Sequence, residues 1–328
     1  MHEGERALKS RLFIVFLALL TPRVSAEAPG PATFSIVAAD PEAGELGVAV
    51  ASRFFSVGSV VPWARAGVGA AATQASANTS WGARGFELLE RGVSPAEVIA
   101  ILSRGDEGRD RRQFGIVRPD GGSATYTGSG CTAWAGGRNG PGYAVQGNIL
   151  AGEAVVAAME KRFLETQGQP LGPRLFSALE AGDAAGGDSR GRQSAALLVV
   201  RDKGGFNGFG DRAIDVRVDD HPDPIRELGR LARMGLVSDR WNQGWTAFRQ
   251  KRNADALRFQ RETARLAEEL PDMLPEVLYD YAVILAANGE MEAAQAALDR
   301  ALALNPRLEA QAAADADLEP LRRAAVTK

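Results

Sequence analysis

The stretch GPATFSIVAADPEAGELGVAVASR (residues 30–53) decides the fold, because it contains the first clear β-hairpin of the sequence. Two runs rich in β-branched and small residues, TFSIVAA and ELGVAVASR, flank the segment DPEAG, in which Pro41 and Gly44 are typical turn residues. The first run begins with Thr33. A threonine at the start of a strand has a chemical role of its own only where the chain is cut in front of it.

The order of elements that follow this hairpin indicates an α+β fold. Between residue 33 and about residue 219, the patterns predict strands, two helices, strands, two helices and strands, and the second helix begins at the capping box SPAE (residues 94–97). Such segregated blocks favour layers of sheet and helix over a doubly wound parallel sheet. The run SAALLVV (residues 194–200) is apolar on both faces, which indicates a sheet covered on both sides.

Composition and charge exclude several classes of function. The chain has 328 residues, of which 45% are hydrophobic, and a net charge of −3 with no basic stripe, so we expect no nucleic-acid partner. One cysteine, Cys131, excludes an internal disulfide and a zinc site built on paired cysteines. The only histidine beyond the first residues is His221, so we expect no metal site and no cofactor.

The first 26 residues have the pattern of a signal peptide. A basic region precedes the short apolar run LFIVFLALL (residues 12–20), and VSA (residues 24–26) provides small residues for cleavage. An amphipathic N-terminal arm is the alternative. We therefore expect an exported protein, periplasmic or secreted, with no membrane segment after the leader, and a short linker or pro-segment at residues 27–32.

The character of the chain changes after HPDP (residues 221–224), where glycine becomes scarcer and long alanine- and leucine-rich helices follow. Residues 278–306 resemble a tetratricopeptide repeat, and residues 241–271 repeat the pattern more loosely. We expect two domains, 33–228 and 229–328, the second a small all-α unit. Such repeats usually bind a protein partner, and a homo-oligomer is equally compatible. A simple helical hairpin extension is the alternative.

Three segments together carry a resemblance to a known family. They are residues 33–75, YAVQGNIL (residues 143–150) and GGDSRGRQSAALLVV (residues 186–200). Over residues 33–228 the chain resembles the bacterial domain of unknown function 1028, which is placed among the Ntn-hydrolase-like folds. The resemblance implies a four-layer αββα sandwich. It implies no particular reaction, because the family has none assigned.

In N-terminal nucleophile hydrolases, the residue that begins the first strand is the nucleophile, and the resemblance assigns that role to Thr33. A hydroxyl is a weak nucleophile that needs a base, and a freed α-amine with a pKa of about 8 can serve. The expected leader cleavage after Ala26 would leave EAPGPA (residues 27–32) ahead of Thr33 and block the amine. Catalysis then requires a second trimming or a more distant cut. Without either, Thr33 is an ordinary β-branched strand residue.

Further candidates follow from what acyl transfer needs. Asn148 could donate to an oxyanion, or it could be a turn residue at a strand end. Gly58 and Ser59 could supply backbone donors. Arg53 could lower the pKa of the Thr33 amine, or it could be a structural ion-pair partner.

A polar cluster precedes the apolar strand near residue 194. We expect this cluster to line a cleft and contact substrate, since polar groups there must find partners, and arginine binds carboxylates in a bidentate manner. An acidic substrate is therefore expected. The cluster comprises Asp188, Arg190, Arg192, Gln193 and Ser194.

Three hypotheses remain open. The first is an exported hydrolase that cleaves an amide or similar C–N bond of a small, acidic or peptide-like substrate with Thr33 as nucleophile. The alternative is a catalytically inactive ligand-binding or scaffold protein that uses the helical tail as its interaction surface. Hydrolysis through another nucleophile, such as Ser52 or Cys131, is a third possibility, although a lone cysteine is more often a small packing residue.

Overall fold

The first hairpin forms as the sequence predicts. Thr33–Asp40 (β1) pairs antiparallel with Glu45–Ser52 (β2), and Gly44 lies in the turn between them. The structure, a computed structural model, describes residues 33–326. The expected signal peptide (1–26) and the linker or pro-segment (27–32) therefore lie outside the described residues.

Two antiparallel sheets form the body of residues 33–218. Sheet A has six strands, β1, β2, β7 (Gly136–Gly140), β8 (Tyr143–Asn148), β9 (Ser194–Arg201) and β10 (Arg212–Val218). Their order across the sheet is β10-β9-β2-β1-β8-β7. Sheet B consists of β3 (Pro62–Arg65), β4 (Gly69–Ala75), β5 (Arg112–Val117) and β6 (Ser123–Thr127), in that order. The strand β1 is thus central in sheet A.

Two of these strands have no clear signal in the sequence, and both lie at sheet edges. The strand β3 begins with Pro62, and β7 has the sequence GGRNG. Proline is tolerated at the first residue of a strand, and glycine has low β-propensity. Each is held by one neighbour, β4 or β8. Pairing with that neighbour, rather than local preference, makes them strands.

Helices flank the sheets and continue alone after β10. They are α1 (Ser80–Glu90), α2 (Pro95–Arg104), α3 (Glu153–Glu165), α4 (Leu171–Ala184), α5 (Pro224–Arg249), α6 (Asn253–Ala267), α7 (Leu274–Ala287), α8 (Met291–Leu304), α9 (Glu309–Ala314) and α10 (Glu319–Val326). None of the helices within residues 33–326 combines the length and apolar character that crossing a bilayer requires. The chain therefore has a mixed α+β part followed by a helical region.

The predicted capping box begins α2. Ser94 Oγ accepts the Glu97 N–H at 3.4 Å, and Glu97 Oε2 accepts the Ser94 N–H at 3.2 Å. Two backbone donors that the helix leaves without intrahelical partners are thereby satisfied.

Loss of this cap has a defined expected cost. Ser94→Ala is expected to lower the free energy of unfolding by about 1 kcal/mol, measured by urea denaturation. The control is Ser103→Ala, in the last turn of the same helix, where the hydroxyl only bonds back to the Ala100 carbonyl and a change within about 0.5 kcal/mol is expected. Equal losses in the two variants would contradict the capping role.

The buried apolar residues of the α+β part form three clusters. One lies between sheet A and helices α3 and α4, one between the two sheets, and one between sheet B and helices α1 and α2. Leu197 and Leu198, neighbours on β9, belong to the first and the second cluster respectively. Both faces of this strand are therefore covered, as its unbroken apolar sequence predicts.

Helix α5 joins the α+β part to the helical region. Ile225 and Leu228 belong to the core cluster of sheet A, whereas Val237 belongs to that of the later helices. The expected domain boundary after residue 228 therefore falls inside a continuous helix. An ion cluster strengthens the joint, since Arg201 at the end of β9 donates to Glu45 Oε1 at 2.6 Å and to Asp239 Oδ1 of α5 at 2.7 Å.

In the helical region, each of the helices α5 to α8 packs against the next one along the chain. Gly289 lies in the turn between α7 and α8. Trp241, Trp245 and Phe248 of α5 pack against the buried residues of this region, and the rings of Trp245 and Phe248 have centroids 5.5 Å apart. The three aromatic side chains thus extend the buried core of the helical region.

Candidate active site

Four polar residues form a row across sheet A at the end where β1 begins. Thr33 lies opposite Asn148 of β8 on one side and opposite Ser52 of β2 on the other, and Ser52 lies opposite Ser194 of β9. Directly opposed residues of neighbouring strands point to the same face of a sheet. All four are buried. We call Asn148, Thr33, Ser52 and Ser194 the polar row.

Thr33 is held within the polar row by two kinds of contact. Its Oγ1 lies 3.2 Å from Ser52 Oγ, and its carbonyl accepts a hydrogen bond from Gln74 Nε2 at 3.2 Å. Its side chain is fully buried. The residue that the sequence singles out is therefore at the start of a central strand, with a second hydroxyl beside it.

Sheet B contributes glutamines that the sequence analysis missed. Gln113 Oε1 accepts from Gln74 Nε2 at 2.8 Å and from Asn148 Nδ2 at 3.0 Å. Gln74 Oε1 in turn accepts from Ser35 Oγ at 2.6 Å, and Gln146 Nε2 donates to the same Ser35 oxygen at 2.7 Å. We call these five side chains the glutamine network. It joins the two sheets behind Thr33 and fixes the amide of Asn148.

The glutamine network requires close packing. A Cβ on Gly115 of β5 would lie 2.1 Å from Gln146 Oε1, so a side chain there would have to displace the Gln146 amide. All three glutamines are buried, and buried amides need partners. A sequence signal was available, because each glutamine lies in a buried strand that consists mainly of small or apolar residues. The sequence did not indicate which polar groups meet across the two sheets.

A cavity of about 540 Å³ opens at the same end of sheet A, on the face covered by α4 and α5, which is opposite to the face of the polar-row side chains. Ser52 lines it, but Thr33 is not among its lining residues. The walls come from β1 and β2, the end of α4, the loop before β9 and the start of α5. They are Phe34, Ala51, Ser52, Arg53, Asp183, Ala184, Gly186, Asp188, Gly191, Arg192, Ser194, Pro222, Pro224 and Ile225.

The expected substrate-binding arginines already have carboxylate partners. Arg192 contacts both oxygens of Asp183, at 2.7 and 2.8 Å. Arg190 Nη2 donates to Asp188 Oδ2 at 3.0 Å, and the same oxygen accepts the backbone N–H of Arg53 at 2.8 Å. A substrate carboxylate bound by Arg190 or Arg192 would have to displace Asp188 or Asp183.

Arg53 differs from these two arginines. It is exposed, its Nη1 donates to the Arg192 carbonyl at 3.2 Å, and it makes no ion pair in the part of the chain that the structure describes. It lies on the cavity wall, one residue beyond the end of β2. The expectation that its charge acts on the Thr33 amine is not matched by a contact. Arg53 is instead available to an anionic group in the cavity.

Ser194 shapes the chain that leaves β2. Its Oγ donates to the Phe54 carbonyl at 2.5 Å and accepts the Val57 N–H at 3.0 Å. It thus closes the turn between β2 and the short helical turn at Val57–Ser59. Ser194 is among the lining residues of the cavity, and both hydrogen-bonding roles of its hydroxyl are already used.

The predicted backbone donors Gly58 and Ser59 have structural explanations. A Cβ on Gly58 would lie 2.7 Å from the Ala196 Cβ, so glycine allows close packing on β9. The Ser59 N–H donates to the Ser56 carbonyl at 3.0 Å, so its predicted role as an oxyanion donor would require this bond to break. Neither residue lines the cavity.

Gln193 and His221 belong to the cavity wall only indirectly. Gln193 Nε2 donates to Asp220 Oδ1 at 3.1 Å, and its carbonyl accepts the His221 N–H at 2.8 Å. His221 Nδ1 accepts the Asp223 N–H at 2.9 Å. These bonds position the loop that carries Pro222 to the cavity. Within residues 33–326, no group of three or more His, Cys, Asp or Glu side chains is placed to hold a metal ion.

The two alternative nucleophiles differ in their surroundings. Burial raises the pKa of the Cys131 thiol, which disfavours the thiolate that would react. Ser52 lies both beside Thr33 and on the cavity wall. Of the two, only Ser52 adjoins the candidate site.

Comparison with known proteins agrees with this architecture. The family model described as a family of unknown function (DUF1028) matches residues 33–228. The crystal structure of protein SPO2555 from Silicibacter pomeroyi, described under the same family, is similar with a TM-score of 0.56 and 31% identity, covering 62% of this chain and 88% of that one. No curated protein matches the chain. Over the α+β part that holds the polar row and its cavity, the chain belongs to the DUF1028 family of unknown function.

Proposed function

We propose that the protein is a hydrolase of the N-terminal nucleophile type that cleaves an amide, or a similar C–N bond, in a small acidic or peptide-like substrate. In this proposal the two sheets and their flanking helices are the αββα sandwich of that class. The nucleophile is the Thr33 hydroxyl, and the base is the α-amine that Thr33 gains when the chain is cut in front of it. No cofactor is required.

One observation carries the proposal. Thr33 is the first residue of a central strand, with its Oγ1 3.2 Å from Ser52 Oγ and with Asn148 as its cross-strand neighbour. Such a residue supplies hydroxyl and amine together, so this chemistry requires no histidine.

The chemistry follows from this placement. The Thr33 oxygen forms a bond to the substrate carbonyl carbon as its proton passes to the freed amine. The C–N bond then breaks, the same proton leaves with the amine product, and water hydrolyses the acyl-enzyme. Asn148 Nδ2, whose direction is set by Gln113, donates to the oxyanion, and Ser52 supports the Thr33 hydroxyl.

Arg53 accounts for the choice of an acidic substrate. It is the arginine of the cavity wall that forms no ion pair among the described residues, and arginine binds carboxylates well. The helical region is proposed to be tetratricopeptide-like and to bind a protein partner or a second copy of the chain. Export to the periplasm or the medium, through residues 1–26, completes the proposal.

The position of the chain start tests the mechanism. Two forms are prepared from fusions whose removal leaves either Thr33 or Glu27 as the first residue, and each is assayed on small amides with and without a carboxylate. The form that begins at Thr33 is expected to be faster by about 10²-fold or more, because only it has a free base at the nucleophile. Carboxylate-bearing amides are expected to be preferred. Equal rates in the two forms would refute the assignment of the amine.

Ligand binding without catalysis is the second candidate function, and one observation favours it. Thr33 is fully buried and does not line the cavity, whereas Arg53 does. In that case both forms of the protein would bind the acidic amides with the same affinity and neither would cleave them.

A further inference from the structure

A second cavity lies near the other end of β9 from Ser194 of the polar row. It has a volume of about 550 Å³ and is formed by the loop between β9 and β10 together with helices α5 and α7. We call it the aromatic pocket. Its lining residues are Phe206, Asn207, Ser238, Trp241, Asn242, Trp245, Arg249 and Asp280.

One wall of the aromatic pocket is fixed by an amide clasp. The Asn207 N–H donates to Asn242 Oδ1 of α5 at 2.8 Å, and Asn242 Nδ2 donates back to the Gly205 carbonyl at 2.9 Å. Arg249 Nη2 donates to Asn207 Oδ1 at 2.8 Å. The loop is therefore held on α5, and the Phe206 side chain, 81% exposed, is kept beside the pocket instead of packing into a core.

The opposite wall holds a carboxylate against two indole rings. Asp280 Oδ2 accepts both the Trp241 Nε1–H at 2.7 Å and the Trp245 Nε1–H at 2.5 Å. Both bonds end on one oxygen. No lysine, arginine or histidine of the described chain forms an ion pair with Asp280. A partly buried carboxylate without a cation is energetically costly, so a positive charge brought to it would be stabilised.

The charged groups around the carboxylate also favour a positive ligand at this end of the pocket. Burial raises the pKa of Asp280, and the nearby Asp315 and Glu276 add to the increase, while the two indole N–H groups oppose it. Arg249 is the positive group of the pocket lining, and its side chain is bonded to Asn207 and Thr246. The Asp280 end of the pocket therefore combines negative charge with aromatic rings.

We propose that the aromatic pocket binds an organic ammonium group, with Asp280 as the counter-ion and Trp241, Trp245 and Phe206 as the aromatic walls. Cations are attracted to the faces of aromatic rings, most strongly to tryptophan. A purely apolar ligand would leave the carboxylate uncompensated, and an anion would be repelled by it. The group is carried by a free amine or by a lysine side chain of a peptide.

Calorimetric titration of the full chain with two isosteric probes tests the charge. Choline carries a quaternary ammonium, and 3,3-dimethylbutan-1-ol has the same shape without the charge. We expect saturable binding of choline that is at least about tenfold tighter than that of the alcohol. A glycine pentapeptide with one central lysine is titrated in parallel. Binding of choline supports a small organic cation as ligand, and binding of the peptide alone supports a lysine side chain.

Two phenylalanines of the same loop provide a matched pair of variants. Phe206 lines the pocket, and Phe209, which is 80% exposed, does not. Phe206→Ala is expected to weaken binding by about five- to tenfold and Phe209→Ala to leave it unchanged. Because both residues are on the surface, neither substitution threatens folding. Asp280→Asn, which keeps the shape, should abolish the preference for choline over the alcohol.

Three outcomes would overturn the proposal. They are equal affinity for choline and the neutral alcohol, equal effects of Phe206→Ala and Phe209→Ala, and absence of saturable binding of both choline and the lysine peptide. In the last case the Trp241–Asp280–Trp245 contacts serve only to join α5 to α7.

Discussion

Alanine in place of Thr33 is expected to lower the rate of amide hydrolysis by about 10³- to 10⁶-fold, the range seen when an enzyme loses its nucleophile. The variant keeps the amine but has no hydroxyl to attack the substrate carbonyl. Thr33→Ser keeps both groups and is expected to retain activity. Rates are measured on the form of the protein that begins at residue 33, with the amide that this form cleaves fastest.

The control for Thr33→Ala is the same substitution at Thr263. That residue is also fully buried, and its hydroxyl bonds the Phe259 carbonyl within α6, in the helical region. Thr263→Ala is expected to leave the rate unchanged, which separates loss of chemistry from loss of a buried hydroxyl. Activity that survives Thr33→Ala but not Ser52→Ala would move the nucleophile to the neighbouring strand, and survival in both variants would exclude the polar row.

The local parts of the fold were predictable because their signals lie within a few residues. The hairpin of β1 and β2 follows from Pro41 and Gly44 between two runs of strand-forming residues, and α2 follows from its capping box. The strands β3 and β7 were not predictable in this way. They exist through pairing with β4 and β8, and neither Pro62 nor the glycines of β7 favour a strand locally.

The candidate site was predictable residue by residue but not as an arrangement. Thr33 and Asn148 are more than a hundred residues apart in sequence, and only the register between β1 and β8 makes them neighbours. The ion pair of Arg192 with Asp183 illustrates the opposite case. Both residues lie in one short segment, so a structural partner for the arginine was visible in the sequence, although the arginine was assigned to substrate.

Removing the positive charge of Arg201, at the joint between sheet A and α5, has the second large expected effect. Arg201 lies between Glu45 and Asp239, and the side chains of the two acids are only 9% and 3% exposed. Arg201→Met keeps much of the side-chain length but leaves both carboxylates without this partner. We expect the free energy of unfolding at neutral pH to fall by about 3–5 kcal/mol, the cost of breaking a buried ion pair on one side.

The matched control lies on the same helix, α5. Arg230 forms an ion pair with Glu227 at 2.6 Å, but the arginine side chain is half exposed. Arg230→Met is therefore expected to cost less than about 1 kcal/mol in the same urea denaturation experiment. A loss in Arg201→Met no larger than that in Arg230→Met would show that other groups, such as Arg240 at 2.9 Å from Asp239, or solvent already compensate Glu45 and Asp239.

The dependence on pH identifies the cause of the loss. Burial already raises the pKa of Glu45 above its usual value, while Arg201 opposes the increase. Without Arg201 the folded-state pKa of Glu45 rises further, so the folded state binds more protons than the unfolded state and stability falls as pH rises. The deficit of Arg201→Met relative to the parent protein should therefore shrink as pH is lowered from about 7 to about 5. A deficit independent of pH would instead indicate that the substitution disturbs packing, since an apolar defect does not titrate.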